Sequence, residues 1–310
     1  MTTHKQFQRD SVALRIDDLG KQYPNGTWGL RHATASLQAG RMTAVLGPNG
    51  AGKSTLIHML AKAIHPSEGT VTLADPSARI GWASQRTTID WYLNVIDNVV
   101  IGARLHGIGR EESRKRSLQM LETLQLGDLA LNDVSMLSGG QQQRIQVART
   151  LVADPDILLL DEPTASLEVE AAESVLDHLR ARALDGALVL VSSHDLGLLE
   201  QFCDEVIFIH NGRLIAHQPM AAFLRRFAPS DAITIQYEGE LSSVVLDQLA
   251  PFDPKVNAHA KLTVTMPDGM PLGALIAMLE PEIRVLDAGR ERASLRAVYR
   301  QMTRQEGDPA

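Results

Sequence analysis

Short apolar runs recur along most of the chain, each closed by glycine or a polar cluster. Residues 12–16 predict a first strand, and 34–37 fall in a second. Residues 42–46 form an apolar strand that ends in a glycine-rich turn. Beyond the turn, Leu56, Leu60 and Ile64 repeat at helical spacing, so 54–63 predict a helix. Further strands are expected at 80–83, 157–160, 187–192 and 205–210. The run 157–160 has no polar position, as suits a central strand buried on both faces. Strands alternating with helices predict an α/β fold built on a mostly parallel sheet.

Between about 95 and 153 the strand pattern stops. Residues 98–105, 110–124 and 141–153 predict helices, and this stretch reads as a helical subdomain inserted into the α/β core. The charges at 110–116 fit a solvated helix face. From Pro219 to Pro229 the pattern changes again. Strands at 232–237, 261–265 and 283–286 then alternate with helices at 241–249, 272–279 and 293–302. The expected organisation is a large domain over 1–228 and a small accessory α/β domain over 229–310.

With 310 residues, 44% of them apolar, the chain can bury a sizeable core. A net charge of −7 argues against a general nucleic-acid binder, whose surface would be basic. The one cysteine, Cys203, cannot form a disulfide within the chain, which fits a reducing compartment. Beside Phe202 it reads as a small core residue. The polar start shows no secretory apolar segment, and no run reaches the roughly 18 apolar residues of a membrane span. Asn25-Gly26-Thr27 reads as a tight turn.

The turn after the strand at 42–46 is Gly47-Pro48-Asn49-Gly50-Ala51-Gly52-Lys53-Ser54, followed by Thr55. It fits G-x-x-x-x-G-K-[ST], the loop that wraps backbone N–H groups around phosphate oxygens. The helix opening at Lys53 points its positive end at the same oxygens. Lys53 is expected to reach the β- and γ-phosphates, and Ser54 to offer its hydroxyl to Mg²⁺. The strand at 157–160 ends in Asp161-Glu162. Ligands of parallel sheets bind at the carboxyl ends of strands. Asp161 is therefore the expected Mg²⁺ carboxylate, and Glu162 the expected general base for an attacking water.

Leu137-Ser138-Gly139-Gly140-Gln141 opens a helix after a loop, a second anion-binding helix tip. One phosphate loop and a second such tip suggest a ligand shared between two chains. The whole set, over roughly 12–218, resembles the ABC-type ATPases, with motifs in that family's order. The resemblance implies ATP and Mg²⁺ as ligands and a dimer with a second ABC ATPase subunit, most simply another copy of this chain. It implies that Ser138, Gly139, Gly140 and Gln141 meet the nucleotide held by the opposite subunit. It also implies that Tyr23 stacks on adenine, that Gln85 lies near Mg²⁺ and water, and that His194 bonds the γ-phosphate. One departure is Glu168, where the family usually carries Asp after Pro163-Thr164-Ala165-Ser166-Leu167. That change bears on coupling between the two sites.

The last stretch, Ser294-Leu295 through Tyr299 to Thr303, and the small tail domain resemble bacterial ABC-2 exporter ATPases of the daunorubicin-resistance type. This implies a cytoplasmic ATPase bound at the inner face of the membrane through a separate integral permease. A soluble ABC ATPase acting in assembly, repair or translation is the competing expectation.

Overall fold

The computed structural model describes residues 7–227, 232–252, 254–257, 260–265, 272–290 and 294–304. The chain divides into two compact units, Met1–Met220 and Ala221–Ala310. The first unit runs β1 (Val12–Gln22), β2 (Trp28–Gln38), β3 (Met42–Leu46), α1 (Lys53–Leu60), β4 (Glu68–Leu73) and β5 (Ile80–Ala83). Three helices follow: α2 (Val95–Leu105), α3 (Arg110–Thr123) and α4 (Gly139–Leu151). The unit ends with β6 (Ile157–Asp161), α5 (Val169–Leu184), β7 (Leu188–Ser192), α6 (Leu196–Phe202), β8 (Glu205–His210) and β9 (Arg213–Pro219).

The central sheet has the order β5-β6-β7-β3-β8-β9 and is parallel except for β9. Every residue of β3, β6 and β7 is buried, which requires cover on both faces. Side-chain alternation divides each strand between two layers. Ile157, Leu159, Leu188, Leu190, Ile207 and Ile209 share one core with Leu56, Ile57 and Leu60 of α1 and with the inner face of β1 and β2. On the sheet as a whole, α5 packs against β7 and β3. Each fully buried Leu or Ile contributes roughly 1.5–3 kcal/mol relative to exposure. The strand ends that carry the site therefore stand on a firm base.

A second, antiparallel sheet with the order β2-β1-β4 lies outside the sequence expectation. β1 and β2 run well past the predicted 12–16 and 34–37, because bulges after Ile16 break the alternation without ending the pairing. β4 and β9 have no counterpart among the predicted strands. α2 starts at Val95 rather than 98, since the Asn94 side chain accepts the Asp97 N–H and caps the helix there. The turn at 23–27 joins β1 to β2: Tyr23 N–H donates to Thr27 O at 2.9 Å, and Asn25 Oδ1 accepts the Thr27 N–H at 3.1 Å. On α3, Arg116 pairs with Glu112 at 2.7 Å on a solvent-facing side.

α7 (Met220–Phe227) straddles the division, which falls eight residues before the boundary expected at 228/229. The second unit then holds β10 (Ala232–Glu238), α8 (Ser243–Leu249), β11 (Lys255–Asn257), β12 (Lys261–Thr265), α9 (Leu272–Leu279), β13 (Arg284–Arg290) and α10 (Leu295–Arg304). Its strands form an antiparallel sheet, β11-β12-β10-β13. Ile233, Ile235, Leu262 and Val264 pack with Val245, Leu249, Leu275 and Leu279 in a separate core. The predicted third strand at 283–286 starts one residue later and runs to Arg290. The predicted terminal helix begins at Ala293, which lies outside the described residues.

Candidate functional site

β3 feeds the glycine loop, and close packing dictates its glycines. A Cβ at Gly47 would stand 2.1 Å from Ile209 O, and one at Gly52 2.2 Å from Gly29 O. Gly52 also has φ 113°, a conformation L side chains avoid. The loop is thus wedged between β8 and β2, and a side chain at either position would displace backbone. α1 opens at Gly52 with no side-chain cap, leaving its first amides to a ligand or solvent. Lys53 Nζ folds back to donate to Gly47 O at 2.8 Å and Pro48 O at 3.1 Å. Burial draws the Lys53 pKa down, while Glu162 and Asp161 push it back up.

β6 and β7 deliver the carboxylates. Asp161 pairs with Ser192 in parallel register. The buried Ser192 hydroxyl donates to Asp161 Oδ1 at 2.6 Å and accepts the Glu162 N–H at 3.0 Å. Asp161 Oδ2 is buried with no hydrogen-bond partner. Glu162 has φ 57°, which is uncommon for a residue other than glycine. Its carbonyl accepts from Gln143 Nε2 at 3.2 Å. Its Oε2 accepts the His194 backbone N–H at 3.2 Å, and His194 Nε2 stands 3.5 Å from Oε1. Burial raises the Glu162 pKa; His194 and Lys53 oppose the rise, and Asp161 adds to it.

Of the residues singled out from the sequence, Tyr23, Asn49, Gly50, Gly52, Lys53, Ser54, Thr55, Gln85, Asp161, Glu162 and His194 line one open cleft of about 480 Å³. Gly47, Pro48 and Ala51 complete the loop but do not line the cleft. Tyr23 is partly exposed, with its hydroxyl 3.1 Å from Thr55 Oγ1. Ser138, Gly139, Gly140 and Gln141 do not line it either. They form the start of α4 instead. There Ser138 Oγ accepts the Gln141 N–H at 3.3 Å, and Gln141 Oε1 accepts the Ser138 N–H at 2.9 Å. Glu168 stands at the N-cap of α5 and makes no side-chain capping bond.

The sequence reading missed Thr27, Trp28 and Gly29, which close one wall of the cleft. It also missed Ser192 and Gln143. No local motif marks either one; each acquires its place only when strands and helices distant in sequence meet. An unpartnered buried carboxylate oxygen on Asp161, with Ser54 and Gln85 in the same cleft, makes an all-oxygen donor set suited to Mg²⁺. Uncapped helix amides and a lysine beside them suit a polyphosphate.

A family model described as ABC transporter matches residues 30–165. The phosphonates import ATP-binding protein PhnC 2 of Halalkalibacterium halodurans is 32% identical over 226 residues, covering 66% of this chain and 93% of the relative. The Nod factor export ATP-binding protein I of Ralstonia nicotianae is 31% identical over 257 residues, covering 80% of this chain and 79% of the relative. A solved dimeric ATP-binding cassette, in a post-hydrolysis state bound to ADP and Pi, superposes with a TM-score of 0.62 at 27% identity. That match covers 67% of this chain and 98% of the cassette.

Proposed function

This chain belongs to the ABC transporter family as an ATP-binding subunit, and from that premise we propose that it drives an ABC-2 type exporter through a separate membrane permease. It is an ATPase that uses ATP and Mg²⁺. One observation carries the site assignment. Lys53, Asp161, Glu162 and His194 converge on one cleft, while the Ser138 tip lies outside that cleft's lining. A second subunit's Ser138, Gly139, Gly140 and Gln141 complete the site over the γ-phosphate.

In this reading the amides of Asn49, Gly50, Gly52, Lys53 and Ser54, with Thr55, bind phosphate oxygens, and Lys53 leaves its carbonyl partners for the β- and γ-phosphates. Tyr23 stacks on the adenine. Ser54, Asp161 and Gln85 would hold Mg²⁺, which would neutralise charge on the transferring phosphoryl group. Ser192 holds Asp161 Oδ1, which leaves Oδ2 for the metal. Glu162 takes a proton from water as the water oxygen bonds to the γ-phosphorus and the bond to ADP breaks. Its raised pKa makes it a stronger base than an ordinary carboxylate. His194 holds the Glu162 carboxylate and bonds the γ-phosphate. Loss of that phosphate removes a bridge between subunits, a nucleotide-dependent switch.

Among the described residues no helix is long and apolar enough to cross a membrane, and the proposed reading puts the translocation path in a separate permease. The Nod factor export relative covers 80% of this chain, more than Met1–Met220 can hold, so its similarity reaches into the second unit. The phosphonate import relative covers 66%, which the first unit alone can hold. That reach of one export relative into the second unit supports export. The import relatives favour the opposite direction, and one experiment separates them. Reconstituted with its permease, the chain should show stimulated phosphate release without any solute-binding protein. Stimulation that appears only when such a protein is added marks an importer. The shared site has its own check: Glu162→Gln should lower kcat by roughly 10²–10⁴-fold and run as a dimer in ATP on size exclusion. A variant that stays monomeric in ATP counts against the shared site.

A further inference from the structure

α4 buries polar side chains where an amphipathic helix ordinarily presents apolar ones. Gln143, Gln146 and Thr150 are 4%, 2% and 7% exposed, and their spacing puts them on one face. The side-chain amides of both glutamines bond away from the helix. Gln146 Oε1 accepts the Thr88 N–H at 2.6 Å, and its Nε2 donates to Ser84 O at 2.6 Å. One carboxamide therefore closes both ends of the loop that carries Gln85. Arg149 Nη1 adds a bond to Thr88 O at 2.9 Å. One turn nearer the tip, Gln143 Nε2 donates to Glu162 O at 3.2 Å, and its Oε1 accepts the Thr87 hydroxyl at 3.3 Å. Glu162, at φ 57°, is thus pinned at its amide by Ser192 and at its carbonyl by Gln143. Leu or Met would fill the same volume, and a buried carboxamide is unfavourable unless both its ends are paired.

We propose that Gln143 and Gln146 are positioning residues for hydrolysis, fastening the Gln85 loop and the Glu162 peptide to the helix whose tip is Ser138. A displacement of α4 then moves both groups together. The inference rests on the reading that this tip meets a nucleotide held by a second subunit. Closure at the tip thereby sets Gln85 and Glu162 in the same chain's own cleft.

The test uses the full chain. Gln146→Met keeps the volume and removes both hydrogen bonds. Nucleotide affinity and KM should stay unchanged, while kcat falls by roughly ten- to a hundredfold, the scale of a small misplacement of a reacting group. A double-mutant cycle with Gln85→Ala identifies the route. If Gln146 acts through Gln85, then Gln85→Ala adds little in the Gln146→Met background. Full additivity, or wild-type kcat in Gln146→Met, overturns the proposal. Should the Met variant not fold, Gln146→Asn is read by the same two criteria, because it is polar but too short to span Ser84 and Thr88. A wild-type chain that releases no more phosphate than Lys53→Ala would sink the ATPase reading itself, an outcome distinct from either of these.

Discussion

The two helix tips that point to phosphate chemistry are finished differently. At α1 the N-cap is Gly52, and no side chain covers the first amides. At α4 the N-cap is Ser138, and Ser138 and Gln141 satisfy each other's backbone in a closed capping box. The first tip sits in a cleft with a lysine and two carboxylates; the second lies outside that cleft's lining. At the open tip the uncapped backbone amides can take a ligand without giving up a side-chain cap. A self-capped tip exchanges its cap for the ligand, so it adds less affinity and responds to geometry. On the proposed reading, the contrast suits one tip to binding and the other to switching.

Lys53→Ala attacks the open tip and has the largest expected effect of the changes at the two tips. Phosphate release should fall by roughly 10²–10³-fold, the usual loss when a charge-stabilising donor is removed. Residual activity near wild type would remove Lys53 from the site. Ser138→Ala attacks the closed tip. Nucleotide binding by the separated chain should be unchanged, and kcat should fall by roughly tenfold. Ser138→Asp sharpens the comparison, because Asp is a good cap but sets a negative charge against phosphate. It should match wild type in thermal unfolding yet lose at least as much activity as Ser138→Ala. Recovered activity in Ser138→Asp would reduce the tip to a cap.

The smallest effect concerns Glu162 and pH. Burial raises its pKa above the ordinary 4.5, so the folded chain holds that proton more tightly than the unfolded chain does. Below the unfolded value Glu162 is neutral in both states and has no effect. As pH rises through the folded value its charge costs stability. Glu162→Gln should therefore leave Tm nearly unchanged at acid pH and raise it at neutral pH. The acid limb of kcat in wild type should lie above the ordinary carboxylate range. An equal Tm for both chains at neutral pH would contradict the assignment of burial as the cause.

Much of this was legible in local pattern. The all-apolar run at 157–160 is a fully buried central strand, and the glycine loop follows a strand and opens a helix. Bulged β1, with Asp18 at φ 46°, broke the period-two signal, and β4 begins with a glycine at its second position. β1 is therefore predicted too short, and β4 not at all. α7 follows Pro219 directly, so the division falls at the start of the 219–229 transition rather than at its end. Ser192 looked like the polar end of a core strand. Only its register opposite Asp161 turns its hydroxyl into a clamp on both acids.

The pairing of β3 also bears on how the protein is made. β3 carries the phosphate loop, but both its parallel neighbours, β7 and β8, are synthesised far later, as the pairs Met42 with Val189 and Thr43 with Glu205 require. On a ribosome the loop therefore emerges long before its sheet. A nascent chain ending short of Leu188 carries every glycine of the motif and has neither β7 nor β8 to hold β3 in place. Nucleotide thus has a folded site only once nearly all of the first unit has been translated, which ties the arrival of function to the slow, long-range closure of a parallel sheet.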